Sequence, residues 1–227
     1  MNSNIFLLKS NLRKLMKVNL KELSVEEKLR QTESVINYLL NSCERFKQSK
    51  HVALYLAMKH EEIDTIPLIE NLLANESRNK KIYVPHIEFN PNKNDDKTQS
   101  DMVFYELKNL KQYQNEMNTN NKYNIRQFND VSSLEKADES LFDLVIVPGL
   151  AFSIDKNENA LRRITRMGRG KGYYDRFLSK IPNCYTLAIG FNEQYLPLNP
   201  SINMELPFDE DKDVKLNQFL YERILNQ

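Results

Sequence analysis

Glycine is scarce in this sequence, with 5 residues in 227, where an average chain carries about 7%, or roughly 16 at this length. Three of the five, Gly168, Gly170 and Gly172, share one short window. Glycine tolerates positive φ and lets a ligand approach the backbone, so the cluster marks a place that needs those properties. Cysteine is also scarce. Cys43 and Cys184 are too few for a disulfide scaffold and form no CxxC pair; they read as buried or idle thiols in a reducing compartment. The three histidines, His51, His60 and His86, lack metal-ligand spacing, which argues against a zinc site or a histidine base. Ser153 and the cysteines have no nucleophile context. An excess of charge is missing too: 32 Lys+Arg against 31 Asp+Glu leave a net charge of +1, without the basic surplus of a nucleic-acid-binding domain. No apolar run approaches the ~18 residues of a membrane span. The run Ile5-Phe6-Leu7-Leu8 is too short for a signal h-region, and no Lys or Arg precedes it. The expectation is a soluble cytoplasmic protein that binds neither membrane nor nucleic acid.

What is present points to an α/β domain. Residues 5–20 place Leu8, Leu12, Leu15, Met16 and Leu20 near helical spacing, with Lys9, Arg13, Lys14 and Lys17 between them, an amphipathic basic helix. Ser24 and Glu27 form a capping box that opens a second helix predicted to reach Phe46. Strands are predicted over 51–58, 81–85 (ended by Pro85), 102–107, 143–148 and 185–191. The 143–148 run is apolar throughout, as in a strand buried on both faces. Helices are predicted over 65–75, where Thr65 caps and Pro67 sits in the first turn, and over 173–181. This alternation indicates one domain over 1–227 with a largely parallel sheet. Three polar Asn/Lys-rich segments, near 88–101, 108–124 and 155–165, read as surface insertions or loops.

The segment from Arg166 to Asp175 reads RMGRGKGYYD. It follows a loop and opens a helix. Glycines there let successive backbone N–H groups converge on an anion, and Arg166, Arg169 and Lys171 add positive charge, a combination suited to a polyphosphate. It is not a Walker A loop, because Gly172 follows Lys171 where Ser or Thr would hold Mg²⁺. It is not a Rossmann fingerprint, because the spacing differs and no strand directly precedes it. Tyr173 and Tyr174 can flank a planar ligand, and Asp175 can hold a metal beside phosphates. The alternative is a basic surface turn of the kind that grips RNA phosphates.

At this point the sequence resembles the 5-formyltetrahydrofolate cyclo-ligase family. The stretches that carry the resemblance are DLVIVPGLAF at 143–152 and RMGRGKGYYD at 166–175, set against the family's PG-x-x-FD and RLG-x-G-x-GYYD. Lys9-x-x-x-Arg13, YLAM before Glu62-Ile-Asp-Thr65, the YVP strand, YTLAIGF-x-EQ and Asp213 extend it over most of the chain. The resemblance implies a three-layer α/β/α domain with a mostly parallel central sheet, acting as a monomer. It implies an ATP- and Mg²⁺-dependent conversion of 5-formyltetrahydrofolate, with or without a polyglutamate tail, to 5,10-methenyltetrahydrofolate. The formyl oxygen attacks the γ-phosphoryl group, N10 attacks the resulting imino-phosphate, and phosphate leaves. By resemblance, Lys9, Arg13, Arg166, Gly168, Arg169, Gly170, Lys171, Gly172, Tyr173 and Tyr174 bind ATP. Arg169, Lys171 and Tyr173 serve catalysis. Leu56, Met58, Glu62 and Tyr173 bind the folate, with Glu62 on the aminopyrimidinone edge. Asp175 and Asp213 hold Mg²⁺.

Three departures stand out. The family's Asp after the PG-x-x-F phenylalanine is Ser153, with Asp155 two residues on; several extra residues within 156–165 precede Arg166; and the His often found before the C-terminal Asp is Lys212. They keep a second reading open, a family member that sequesters the folate without turning it over.

Overall fold

A computed structural model describes residues 2–58, 61–74, 79–89, 100–121, 125–155, 163–202 and 204–225. His60, residue 75 at the expected end of a helix, and parts of the three polar segments (90–99, 122–124 and 156–162) lie outside the described residues.

The chain opens with helices α1 (Asn2–Glu22) and α2 (Val25–Asn41). Ser24 caps α2 by accepting a hydrogen bond from the Glu27 amide at 3.1 Å, which satisfies one of the donors a helix start leaves open. Leu12, Met16 and Leu20 are buried, as are Val35, Ile36 and Leu39 of α2. Leu8 and Leu15, expected on the same apolar face, are instead 38% and 50% exposed. Leu15 sits about 100° around the helix from Met16, and Leu8 lies in the first turns, which run past the core beside a polar cavity lined by Ile5, Phe6 and Lys9. The second helix also stops short of Phe46. The chain breaks at Ser42 and Cys43, and a short α3 (Glu44–Gln48) follows, turning Phe46 into the core.

Then come β1 (His51–Leu54), α4 (Ile66–Ala74), β2 (Lys81–Phe89), β3 (Ser100–Leu107), α5 (Leu110–Asn115), β4 (Met117–Asn118), β5 (Gln127–Phe128) and β6 (Leu144–Val147). The chain continues with β7 (Ala151–Ile154), β8 (Ile164–Met167), α6 (Tyr173–Leu178), β9 (Tyr185–Ile189), β10 (Gln218–Leu220) and α7 (Glu222–Leu225). Six strands form the central sheet in the order β10-β9-β6-β1-β2-β3. Every pairing is parallel except β2 with β3. Alternate residues of β6 enter different cores: Leu144 and Ile146 pack with the α1 and α2 residues, Val145 and Val147 with Phe177 and Leu178 of α6. This is the three-layer α/β/α arrangement, with a strand buried on both faces where the apolar run indicated one. Among the described residues no helix is long and apolar enough to cross a membrane.

Pro85 does not end its strand. β1 stops at Leu54, opposite a residue before Pro85 in the register, so beyond it β2 has a free edge on that side. A proline on a free edge costs the ladder nothing, and β2 runs on to Phe89 against β3. Parts of the polar segments are also structured. Asn109 accepts from the Gln112 amide at 3.0 Å and starts α5, and Met117–Asn118 pairs with Gln127–Phe128. Ile164 and Thr165 belong to β8, the partner of β7. The glycine loop therefore follows a strand directly, contrary to the sequence expectation: Thr165, Arg166 and Met167 are buried in β8, a strand whose polar residues gave no period-2 apolar signal.

Candidate functional site

The loop between β8 and α6 is the wall shared by two cavities. Gly170 has φ +102° and Gly172 φ +69°, a region that costs an L-residue roughly 1–2 kcal/mol. A Cβ on Gly170 would also stand 3.3 Å from the Arg13 guanidinium carbon. Gly170→Ala is therefore expected to lower stability by about 1–2 kcal/mol and to displace Arg13, read as a lower midpoint in chemical denaturation; an unchanged midpoint would contradict the strain. Helix α6 spans only six residues, so the cations around the loop, more than a helix terminus, give it its positive character.

The first cavity, about 320 Å³, is mainly apolar, with Leu56, Met58, Pro85, Ile87, Met102, Ile125, Tyr173 and Tyr174 on its walls. One buried carboxylate, Glu62, enters it, with 8% of its side chain exposed. Glu62 Oε2 accepts from the Met58 amide at 2.9 Å and Oε1 from Arg169 Nε at 3.2 Å. Arg169 Nη1 donates to Glu61 at 2.5 Å. Burial raises the Glu62 pKa above the usual carboxylate range, and the charge and hydrogen bond of Arg169 offset only part of that. An ionised carboxylate offers about four acceptor positions; two are used here. Beside them, Arg169 Nη2 and Tyr174 Oη are buried donors with no hydrogen-bond partner among the described residues. Such groups are costly to leave unpaired. Tyr173 Oη meets Ser100 Oγ at 2.6 Å, and the Arg176 guanidinium lies 5.2 Å from the Tyr173 ring centre.

The second cavity, about 600 Å³, is polar and is bordered by Lys9, Arg13, Arg166, Gly168, Gly170, Lys171, Gly172, Arg176 and the segment 209–214 with Asp175. Arg13 Nε donates to the Gly168 carbonyl at 2.9 Å, and Lys9 pairs with Asp213. Arg166, 4% exposed, donates to Asp175 at 2.8 Å and to the Pro148 carbonyl at 3.2 Å. Arg166, Gly168, Lys171, Gly172 and Asp175 line both cavities.

A family model for the 5-formyltetrahydrofolate cyclo-ligase family matches residues 7–222. The chain belongs to this family. It is 31% identical to the mouse 5-formyltetrahydrofolate cyclo-ligase over 94% of this chain and 93% of that one. Among solved structures it is similar to the Aquifex aeolicus 5,10-methenyltetrahydrofolate synthetase, with TM-score 0.62 and 28% identity over 92% and 93% of the two chains. The Mycoplasma pneumoniae 5,10-methenyltetrahydrofolate synthetase shares the fold, with TM-score 0.61 over 94% and 98%, at 17% identity.

In this member of the cyclo-ligase family, the candidate residues divide between the cavities. Leu56, Met58, Glu62, Arg169, Tyr173 and Tyr174 border the apolar one; Lys9, Arg13, Gly170 and Asp213 border the polar one. Arg169 and Tyr174, expected beside ATP, and Tyr173, expected beside both ATP and the folate, line the apolar cavity; Glu61 and Glu62 hold the Arg169 guanidinium on that side. Asp175 and Asp213 share the polar cavity as hard oxygen donors. Among the described residues no group of three or more acidic, His or Cys side chains could hold a metal. The donor set suits a cation that takes one or two carboxylates and fills its shell with phosphate and water. Pro85, Ile87, Met102, Ile125, Gln127 and Lys17 also line the apolar cavity and were not read as site residues in the sequence. Buried Gln194 is a further support: it donates to the Gly149 carbonyl at 2.6 Å and accepts from the Phe191 amide at 2.8 Å, bracing the Pro148-Gly149 turn. The departures are accommodated nearby: the Ser153 carbonyl accepts from Thr165 at 3.2 Å, Asp155 pairs with Lys215 at 2.8 Å and Lys212 with Asp209 at 3.5 Å.

Proposed function

We propose that this chain catalyses the ATP-dependent conversion of 5-formyltetrahydrofolate to 5,10-methenyltetrahydrofolate, with the folate in the apolar cavity and the ATP phosphates in the polar one. The observation that carries this reading is the shared wall: one glycine-rich loop borders both an apolar cavity holding a buried carboxylate and a polar cavity lined by cations and carboxylates. Two reactants placed on either side of such a wall meet at its rim, which supplies the orientation a two-substrate reaction needs.

Glu62 offers its two remaining acceptor positions to the 2-amino and N3–H donors of the pterin, a strong pairing when desolvated. Leu56, Met58 and Tyr173 enclose the ring. Lys171, which lines both cavities, holds the transferring phosphoryl group and offsets its charge, while Arg13 and Lys9 hold the outer phosphates. The formyl oxygen bonds to the γ-phosphorus as ADP leaves. N10 then bonds to the formyl carbon, loses its proton, and phosphate departs. Enclosure protects the activated imino-phosphate from water. Asp175 and Asp213 would hold Mg²⁺, which supplies charge neutralisation at the phosphates. The chain works as one domain, without a covalent enzyme intermediate.

The test is a near-UV absorbance assay. Purified protein with 5-formyltetrahydrofolate, ATP and Mg²⁺ is expected to produce the methenyl-folate band, and no band without ATP. Binding of the folate with no band at high enzyme concentration would favour sequestration and overturn the catalytic reading.

A further inference from the structure

Helix α1 runs past both cavities. Phe6, Lys9, Arg13 and Lys17 recur at intervals of three and four residues, which places them on one helix face. The first three line the polar cavity and Lys17 the apolar one, so the axis of α1 gives the polar cavity a direction. Arg13 marks the end shared with the apolar cavity, because it donates to the Gly168 carbonyl of the common wall. Phe6 lies seven residues before it, about 10 Å along the axis, and borders the polar cavity alone.

Phe6 is 66% exposed. A scattered apolar residue on a surface needs no explanation, and exposed Leu7 beside it lines neither cavity. Phe6 differs in its place. Among the described residues that line the polar cavity it is the one aromatic, and Ile5 adds apolar surface next to it. The cations, glycines and carboxylates of the same cavity suit phosphates and a metal; none of them offers an aromatic face. The cavity holds about 600 Å³, within the size range of sites that enclose a whole small molecule, so it has room for more than a phosphate chain.

The next step rests on the reading that the ATP phosphates lie among Lys9, Arg13 and the glycine loop, with the γ-phosphate toward the apolar cavity. The γ-phosphate then stands at the Arg13 end. The covalent order of the nucleotide, phosphates, then ribose, then base, carries the base away from the common wall. Helix α1 leads the same way, from Arg13 through Lys9 to Phe6. An aromatic ring can cover the π-face of a base, and such stacking holds the base without reading its edge.

We propose that the Phe6 ring stacks on the base of the bound nucleotide and is the base-binding residue of this helix face. Lys9 and Arg13 meet charge that any triphosphate carries. Phe6 distinguishes a nucleotide from bare polyphosphate.

The experiment sets one side chain against one part of the ligand, read by calorimetry with Mg²⁺ and without folate. The proteins are wild type, Phe6→Ala and Phe6→Tyr. The ligands are ATP and inorganic tripolyphosphate, which lacks both ribose and base. Phe6→Ala is expected to weaken ATP about tenfold, the lower end of what losing one aromatic platform costs a base, and to leave tripolyphosphate within about twofold. Phe6→Tyr keeps the ring and is expected to bind ATP within about twofold of wild type. In turnover the loss in Phe6→Ala falls on the KM for ATP with kcat unchanged, the mark of a contact made equally in the ground and transition states. Alanine is the strongest helix former and the side chain it replaces is exposed, so the melting temperature stays as it is. Equal losses for the two ligands would mean that Phe6 acts through Lys9 or Arg13, and no loss for either would place the base elsewhere; both overturn the proposal. A wild-type protein that binds neither ligand would instead sink the assignment of the polar cavity to ATP; wild-type binding of both without coupling to Phe6 sinks only the role of Phe6.

Discussion

Replacing Lys171 by alanine is expected to lower kcat by about 100- to 1000-fold, the usual effect of removing one group aimed at transition-state charge, while leaving the fold intact. Lys171 is exposed and borders both cavities. The contact made within the fold by this residue is through its carbonyl, which accepts from Arg176 at 2.8 Å, and alanine keeps that carbonyl. Surface changes of this kind shift stability by no more than about 0.5 kcal/mol. The other cations of the loop are differently employed. Arg166 is buried against Asp175, so its removal would leave a carboxylate without its partner, and Arg169 is bound to two glutamates. Lys171 is therefore the cleanest probe of the phosphate side. Steady-state kinetics with a melting curve decide the matter. If Lys171→Ala turns over at the wild-type rate, the charge at the transferring phosphoryl group is met by Arg13 and Lys9, and the role given to Lys171 is wrong.

Glu62→Gln should act on the other substrate. The amide keeps the shape but loses the negative charge and one acceptor, and turns an N–H₂ toward donors. Hydrogen bonds to a charged group contribute about 1.5–3 kcal/mol, so folate affinity is expected to fall by about a hundredfold. ATP affinity should move little, since Glu62 does not border the polar cavity. The same residue predicts a pH signature. Its folded pKa is raised by burial, so the native state holds this proton more tightly than the unfolded chain. Its contribution to stability is thus present below the unfolded pKa and is lost as pH rises through the folded one. Folate binding has the opposite sense, because the pterin N–H donors need the ionised carboxylate: affinity rises with pH through that same pKa. The parts of the calorimetric affinity and of the melting temperature that depend on Glu62, read as wild type minus Glu62→Gln, should therefore change in opposite directions across the acid range. In Glu62→Gln both dependences on this group should vanish. An affinity profile identical in the two proteins would exclude Glu62 from the pterin edge.

The site was legible in the sequence where it is contiguous. Gly168 to Asp175 carries glycines, cations, aromatics and a carboxylate in one stretch, and the fold only had to bring Lys9, Arg13 and Asp213 to it. The apolar cavity was less legible because its far wall is a matter of register. Pro85, Ile87 and Met102 reach it only because β2 continues past Pro85 and pairs with β3, a continuation that depends on where β1 ends. Ile125 enters from just beyond the segment 108–124 that reads as polar insertion. The strand β8 was hidden for a different reason: it buries Thr165 and Arg166, residues whose burial is permitted by their partners and not by their own polarity. The side of the loop on which Arg169 falls could not be read from spacing, since Glu61 and Glu62 decide it through space.

The two cavities also differ in when they can exist. The walls of the apolar one are contributed by residues up to 175, whereas the polar one needs both Lys9 and the segment 209–214, and Lys9 and Asp213 are 204 positions apart. During synthesis on a ribosome, the residues that line the apolar cavity have all been made before the last wall of the polar cavity is translated. Closure of the polar cavity is thus a late event in the life of a nascent chain, set by the meeting of an early helix with a late loop.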